Sequence, residues 1–233
     1  MLLALWSPKG GSGTSVVAAA IALAAVGRGE ARLADLGGDQ PAILGVPPLT
    51  SALTLVDWLA AAPATPTEWL DDMAVPILPG LSLLPGGPAA QAASPEAGAA
   101  LAVALRDSGV AVVDLGSGAD QFDGAGRAVI DVADTALIVI RPCYLALRRA
   151  VADPRLGSST GAILVEEPGR ALDADDVSGV LGIPVVGRFP VRAEIARAVD
   201  AGVLRDRLPA GLAIAAGAVL DRLAGPAGGS WAA

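Results

Sequence analysis

The chain opens on an unbroken apolar run, Leu2–Trp6, stopped by Ser7-Pro8, and similar runs recur at Val110–Asp114, Thr135–Ile140 and Ala162–Val165. Runs of this length without polar alternation read as strands buried on both faces, as in a parallel sheet clothed by helices. Shorter runs at Ala31–Ala34 (ending at Asp35), Leu81–Leu84 and Pro184–Gly187 predict further strands. The alanine-rich stretch Thr14–Val26 has the length of a helix and is closed by Gly27. Further helices are predicted over Ala52–Ala61, Pro95–Asp107, Tyr144–Ala152, Ala174–Leu181, Arg192–Ala201 and Ala210–Leu223. Strand–helix repetition argues for a doubly wound α/β fold, a mainly parallel sheet with helices on both faces. Pro41–Gly98 is the least regular part, with a Pro/Ala/Thr spacer at Ala62–Thr67 and a loop at Pro85–Ser94. No repeat or long linker divides the chain, which reads as one domain over residues 1–224 with a tail, Gly225–Ala233.

Composition narrows the function. The 233 residues are 53% hydrophobic and only 17% charged, so a mostly disordered chain is excluded. Aromatics make up 3%, and a core of small side chains suits closely packed helix–sheet layers better than a β-sandwich. A lone cysteine, Cys143, excludes a disulfide framework and reads as packing, and with no histidine a zinc site has almost no ligands. The missing histidine also removes the usual base of serine and cysteine hydrolases. The net charge of −8 argues against nucleic-acid binding, which runs on phosphate neutralisation. The apolar runs Val16–Val26 and Leu212–Leu220 are too short to span a bilayer, and the N-terminus lacks the basic flank of a secretory signal, so the expected location is cytoplasmic.

The charge pattern holds one further clue. All but one of the sixteen basic residues are arginine, and the single lysine, Lys9, stands inside the richest glycine cluster. A compact ammonium is not interchangeable with a guanidinium where it must reach a phosphate. The cluster, Ser7-Pro8-Lys9-Gly10-Gly11-Ser12-Gly13-Thr14-Ser15, lies between the first strand and the first helix. There, glycines let backbone N–H groups turn around an anion and the helix N-terminus adds partial positive charge. The ordinary phosphate-loop pattern, G-x-x-x-x-G-K-[ST], fails: Pro8 stands for the first glycine and Thr14 for the lysine.

Lys9–Ser15 instead resembles the deviant Walker A motif, K-G-G-x-G-K-[ST], of the ParA/MinD family of ATPases. Val110–Asp114 with Leu115-Gly116-Ser117-Gly118 resembles that family's Walker B strand and glycine turn. Gly80–Pro85, Ala133–Ile140 with Leu147–Ala150, and Gly182–Pro190 resemble three further family segments, so the likeness runs along most of the chain. The resemblance implies a P-loop fold, ATP or ADP with Mg²⁺ as ligand, and a homodimer closed over the nucleotide. It places Lys9, Gly10, Gly11, Ser12, Gly13, Thr14 and Ser15 around the phosphates, Ser15 and Asp114 at the Mg²⁺, and Asp35 and Pro190 in the remaining nucleotide-binding set. Lys9 would reach across the dimer to the partner's nucleotide.

Three departures bear on hydrolysis. Thr14 replaces the lysine that spans the β- and γ-phosphates within one subunit, so a hydroxyl stands where a charge is expected. The family's strand-two D-x-D is Asp35-Leu36-Gly37 here, with Asp39 two residues late. The asparagine near the adenine appears as Glu166 or Glu167. The reading is a nucleotide-gated dimeric scaffold with weak or no hydrolysis, read by a protein partner. "KGGSGTS" looks closest to the TadZ/CpaE branch, which implies a pilus or secretion component as that partner. The alternative is a working ATPase for chromosome partition or septum placement, with Lys9 and Asp39 as its catalytic residues.

Other readings are weaker. Gly11-x-Gly13-x-x-Val16 followed by Asp35 mimics a dinucleotide fingerprint, but the third glycine is missing and Lys9 goes unexplained. Arg141, Arg148, Arg149 and Arg155 read as a solvated helix face with its anchor rather than a DNA patch. The final helix reads as core rather than membrane-surface, and Asp173, Asp175 and Asp176 as a helix cap. Trp231 has no assigned role.

Overall fold

The computed structural model describes residues 1–47, 53–62, 64–87, 93–117 and 123–225. Within the tail only Gly225 is described, so Trp231 lies outside, as do Ala52, Pro63, Gly118 and residues 88–92 of the predicted loop.

In chain order the elements are β1 (Leu2–Trp6), α1 (Thr14–Ala25), β2 (Ala31–Asp35), α2 (Gln40–Ile43), α3 (Leu55–Ala61), α4 (Trp69–Asp72), β3 (Val75–Leu78) and β4 (Leu81–Leu84). There follow α5 (Pro95–Arg106), β5 (Val110–Asp114), α6 (Asp123–Val132), β6 (Thr135–Ile140), α7 (Tyr144–Ala152), β7 (Gly161–Glu166), α8 (Ala174–Leu181), β8 (Val185–Pro190), α9 (Ala193–Asp200) and α10 (Ala210–Ala224). Four of these elements go beyond the sequence-based expectation: the helix α6, the short helices α2 and α4, and the edge strand β3. A 3-10 turn over Val26–Arg28 takes the place of the predicted last residue of α1.

Among the described residues eight strands lie in the order β3-β4-β2-β5-β1-β6-β7-β8, and of these only β3 runs antiparallel to its neighbour. The expected parallel, doubly wound architecture is therefore present. The absence of alternation in β1 has a direct cause. Leu2, Ala4 and Trp6 face one core, shared with α3, α5, α6, α7 and α8. Leu3 and Leu5 face the other, shared with α1, α9 and α10. Each layer is thin because its helices carry small residues: Ala18, Ala19, Ala20, Ala22 and Ala25 of α1 are wholly buried. Gly98 of α5 sits so close to Ala125 of α6 that a Cβ there would lie 2.2 Å from the Ala125 carbonyl oxygen.

This topology decides where a ligand can sit. From β1 the chain crosses to β2 on one side, while β5, inserted between them, leads to β6 on the other. The loops after β1, β2 and β5 consequently converge at the carboxyl edge of the sheet around the point where the winding reverses. Open α/β sheets bind ligands in that crevice.

Candidate functional site

The loop after β1 is held from below. Ser7 N donates to Gly116 O at 2.9 Å, tying it to the turn after β5. Inside the loop the hydroxyls of Ser7 and Ser12 both donate to the Lys9 carbonyl, at 2.9 and 2.8 Å. These bonds lock the Lys9–Ser12 turn by its outer carbonyl. Gly13 then enters α1 with φ of 91°, a left-handed conformation that a side chain would strain. No acidic residue lies within the first turn of α1 itself, which leaves its amides to face the loop.

Over this loop opens a cleft of about 500 Å³, walled by residues 11–16, by Gly37 and Asp39 after β2, by Gly116 and Ser117 after β5, and by Val199 and Asp200 of α9. Among the described residues no arginine or lysine lines it. Its charged side chains are the carboxylates Asp39 and Asp200. Thr14 and Ser12 lie buried in its wall. Lys9 is not part of the lining: its ammonium, on the exposed side, meets the carbonyl of Gly10 at 3.3 Å.

The carboxylates expected at the site divide. Asp39 stands exposed in the cleft wall. Asp35 is wholly buried and spends both oxygens on its own loop, accepting from Gly38 N at 2.6 Å and Gln40 N at 3.1 Å. It forms no part of the cleft wall, whereas the family resemblance implies a place for it in the nucleotide-binding set. Burial, and then the neighbouring Asp114, push its carboxyl from 3.8 up to about 7, against the two amide donors. Asp114 is also wholly buried, under Gly37, where a Cβ would lie 3.0 Å from Asp114 Oδ2. Burial pushes Asp114 up too, opposed by donors from Gln40, Gly116 N and the Ser15 hydroxyl. Pro190 ends β8 opposite Glu166, packs near Gly211 of α10 and forms no part of the cleft wall.

Gln40 is the residue that sequence reasoning missed. It is wholly buried, and its side-chain amide donates to Asp114 Oδ2 at 2.8 Å and to the Ser15 carbonyl at 2.9 Å. Val199 and Asp200 were also missed, since only the fold carries α9 to the cleft. The one local signal for Gln40 was an amide side chain closing a glycine-rich turn just after a strand.

The remaining features settle readily. Glu166 faces Arg188 at 3.4 Å, and Glu167 is held low by a hydrogen bond from Arg170. Asp173 caps α8 in a capping box with Asp176, as expected. Arg155 does not belong with Arg148 and Arg149 on the surface of α7. It is buried, bonded to Asp153 at 2.6 Å and stacked 4.4 Å from the ring of Trp6. Among the described residues no helix is long and apolar enough to cross a membrane.

Comparison with solved structures decides the architecture. The chain superposes on a ParA family ATPase from Chlorobium tepidum TLS with a TM-score of 0.74 and 23% identity, covering 93% of this chain and 96% of that one. It superposes on the septum site-determining protein MinD from Pyrococcus horikoshii OT3, a complex with Mg-ADP, with a TM-score of 0.76 and 17% identity, covering 97% of each chain. The fold is that of the ParA/MinD ATPases. A third neighbour with this fold is a variant of Cyanothece McdA in complex with ATP, with a TM-score of 0.67 and 16% identity, covering 95% of each chain. No protein-family model and no curated protein matches the sequence. The ParA/MinD fold accounts for the convergence of the loops after β1, β2 and β5 on one crevice.

The donor set fits a magnesium ion. Among the described residues no three carboxylate, histidine or cysteine groups cluster as a metal cage. Mg²⁺ does not need one, because it keeps several waters and takes one or two protein ligands beside nucleotide phosphates. Ser15 lies in the cleft wall with its hydroxyl on Asp114 buried beneath, so the hydroxyl would be the ligand and the carboxylate would hold the ion's water.

Proposed function

We propose that this chain binds ATP or ADP with Mg²⁺ over the Gly10–Ser15 loop and works as a nucleotide-gated dimer with weak or no hydrolysis. The observation that carries the reading is the glycine loop opening, at a helix N-terminus with no acid in its first turn, into a cleft at the reversal point of the sheet. Loop amides would take the phosphates. Ser15 would ligate the ion and Asp114 would hold its water shell, while the ion would neutralise phosphate charge. Among the similar structures, the MinD from Pyrococcus horikoshii is complexed with Mg-ADP and the Cyanothece McdA variant with ATP, which supports the ligand class.

The described cleft wall supplies no cation of its own, and Thr14 stands where an ammonium would sit. Lys9 is outside the lining of its own cleft, and its ammonium, held only by an exposed bond to the Gly10 carbonyl, would serve the phosphate of a second copy. Nucleotide then sets the dimer equilibrium, and the dimer is the output, read in the cytoplasm by a protein partner such as a pilus or secretion component. An Aquifex aeolicus neighbour solved as a MinC:MinD complex supports a partner-binding role. Residues 1–224 form the nucleotide-binding unit in this reading, with 225–233 as its tail.

One observation favours the second reading, an active ATPase for chromosome partition or septum placement: Asp39 lies in the cleft wall, where it could orient water. ATP affinity and phosphate release, measured separately with and without a candidate partner, decide. Binding without turnover supports the scaffold. Steady turnover abolished by Asp39→Ala supports the ATPase, and the absence of ATP binding refutes both.

A further inference from the structure

Gln40 has more hydrogen-bonding capacity than its surroundings use. Its side chain is wholly buried between three elements. The amide nitrogen spends both protons, one on Asp114 Oδ2 of β5 at 2.8 Å and one on the Ser15 carbonyl of α1 at 2.9 Å. The backbone N–H of the same residue donates to Asp35 Oδ2 of β2 at 3.1 Å. The Ser15 carbonyl can only accept, which fixes the amide orientation: turned over, Oε1 would face that carbonyl oxygen with no proton between them. The carbonyl oxygen Oε1 is therefore held in place, and it is buried with no donor from any described residue. A buried acceptor left unpaired costs about 1–3 kcal/mol, and native interiors rarely keep one without a use.

The neighbourhood says what kind of donor is missing. Asp35, Asp114, the Ser15 carbonyl and Gln40 Oε1 crowd one small region with oxygens, while no described lysine or arginine lines the adjoining cleft. A hard divalent cation with its water shell supplies both positive charge and O–H donors to such a group. We propose that Gln40 is a positioning residue of the metal–phosphate site, its nitrogen fixing Asp114 against Ser15 and its free carbonyl oxygen accepting from water on the bound ion. The proposal rests on the nucleotide-binding reading above and adds a residue to it. A purely structural Gln40 would stitch α2 to α1 and β5 with the nitrogen alone, and its oxygen would be idle.

The two roles separate with Mn²⁺ as the probe. Free Mn²⁺ is followed by electron paramagnetic resonance as it is titrated into the full chain with ADP, for the parent, Gln40→Met and Gln40→Glu. ADP affinity in EDTA and thermal melts are taken alongside. Gln40→Met, of similar shape without hydrogen bonds, is expected to weaken Mn²⁺ binding ten- to hundredfold, the usual loss on removing an outer-shell partner, while metal-free ADP binding is unchanged. Gln40→Glu sets a second oxygen against Asp114 and the Ser15 carbonyl, so its metal-free form is expected to melt below the parent and Mn²⁺ to raise its melting temperature more than the parent's. Parent-like Mn²⁺ affinity in Gln40→Met overturns the proposal, as does an equal loss of Mn²⁺ and of metal-free ADP. If the parent itself takes up no Mn²⁺ with ADP, the nucleotide reading fails and the role of Gln40 falls with it.

Discussion

Asp35 and Asp114 stand opposite each other in the register between β2 and β5, two wholly buried carboxylates side by side on adjacent strands. Among the described residues no arginine or lysine bonds to either. The pair makes the ligand-free protein sensitive to pH in an unusual direction. Asp35 titrates near 7 in the folded chain and near 3.8 when exposed, so between these values the folded state holds a proton that the unfolded state has lost. Stability is therefore expected to fall as pH rises from about 4 to 7, by at most about 4 kcal/mol. The raised Asp114 acts in the same sense. Asp153, where bonds from Arg155 outweigh burial and hold the carboxyl low, contributes below that window. Urea unfolding at pH 5 and pH 8 checks this, and Asp35→Asn is expected to flatten the slope. A protein more stable at pH 8 than at pH 5 contradicts it.

Thr14→Lys restores a cation to a wall that has none among its described residues. It is expected to tighten ATP binding at least tenfold, about 1.4 kcal/mol, through a charge-assisted contact to phosphate. Calorimetric titration of parent and variant measures it. Unchanged affinity would mean that phosphates do not approach the first turn of α1.

Lys9→Ala is expected to leave the monomer folded, because among the described residues the ammonium bonds an exposed carbonyl, that of Gly10. Nucleotide-dependent dimerisation, followed by sedimentation with and without ATP, should be lost. Lys9→Arg should not restore it, since a guanidinium differs from an ammonium in size and geometry. A Lys9→Ala variant that dimerises with ATP as the parent does removes the trans role.

Trp6, the last residue of β1, donates from Nε1 to Ser159 Oγ at 2.9 Å and carries Arg155 on its ring. Arg155→Ala leaves Asp153 without its cation and Trp6 without its cover, and is expected to cost about 3 kcal/mol. Thermal unfolding gives the loss, and a shift in tryptophan emission that disappears in a Trp6→Phe background assigns it to Trp6 among the chain's four tryptophans. A change below about 0.5 kcal/mol would place Arg155 among ordinary surface ion pairs.

The wall of the cleft formed by α2 and α9 depends on a close backbone contact. A Cβ on Gly45 would lie 2.0 Å from the Gly202 carbonyl oxygen, and φ there is 64°. Gly45→Ala is expected to destabilise by about 2 kcal/mol or more and to weaken nucleotide binding, both measurable by melting with and without ADP.

The parts of this molecule that were legible in its sequence are those decided locally or by simple burial. β1, β5 and β6 announce themselves because a strand covered on both faces has no polar positions. α7 and α8 end where caps and prolines say they should. α6 was not legible: Asp123-Gly124-Ala125-Gly126 has poor helix propensity, and the helix is set by packing of Ala125 and Val129 into the core shared with α5. β3 carries Pro76, which only an edge strand tolerates, so neither pattern nor propensity marked it. At the site, the position of the glycine loop between β1 and α1 was readable from the sequence. The buried cluster of Asp35, Asp114 and Gln40 was not, because their relationship exists only where β5 is inserted beside β2, some eighty residues along the chain.

The proposed function requires that the cleft over Gly10–Ser15 take a nucleotide. Titration of Mg·ADP into the full chain in a calorimeter measures this directly. The expected result is saturable binding of one nucleotide per chain, weakened by EDTA and abolished by Gly13→Val, whose side chain the left-handed turn cannot hold. No heat and no saturation at millimolar Mg·ADP, in a chain shown by melting to be folded, would contradict it.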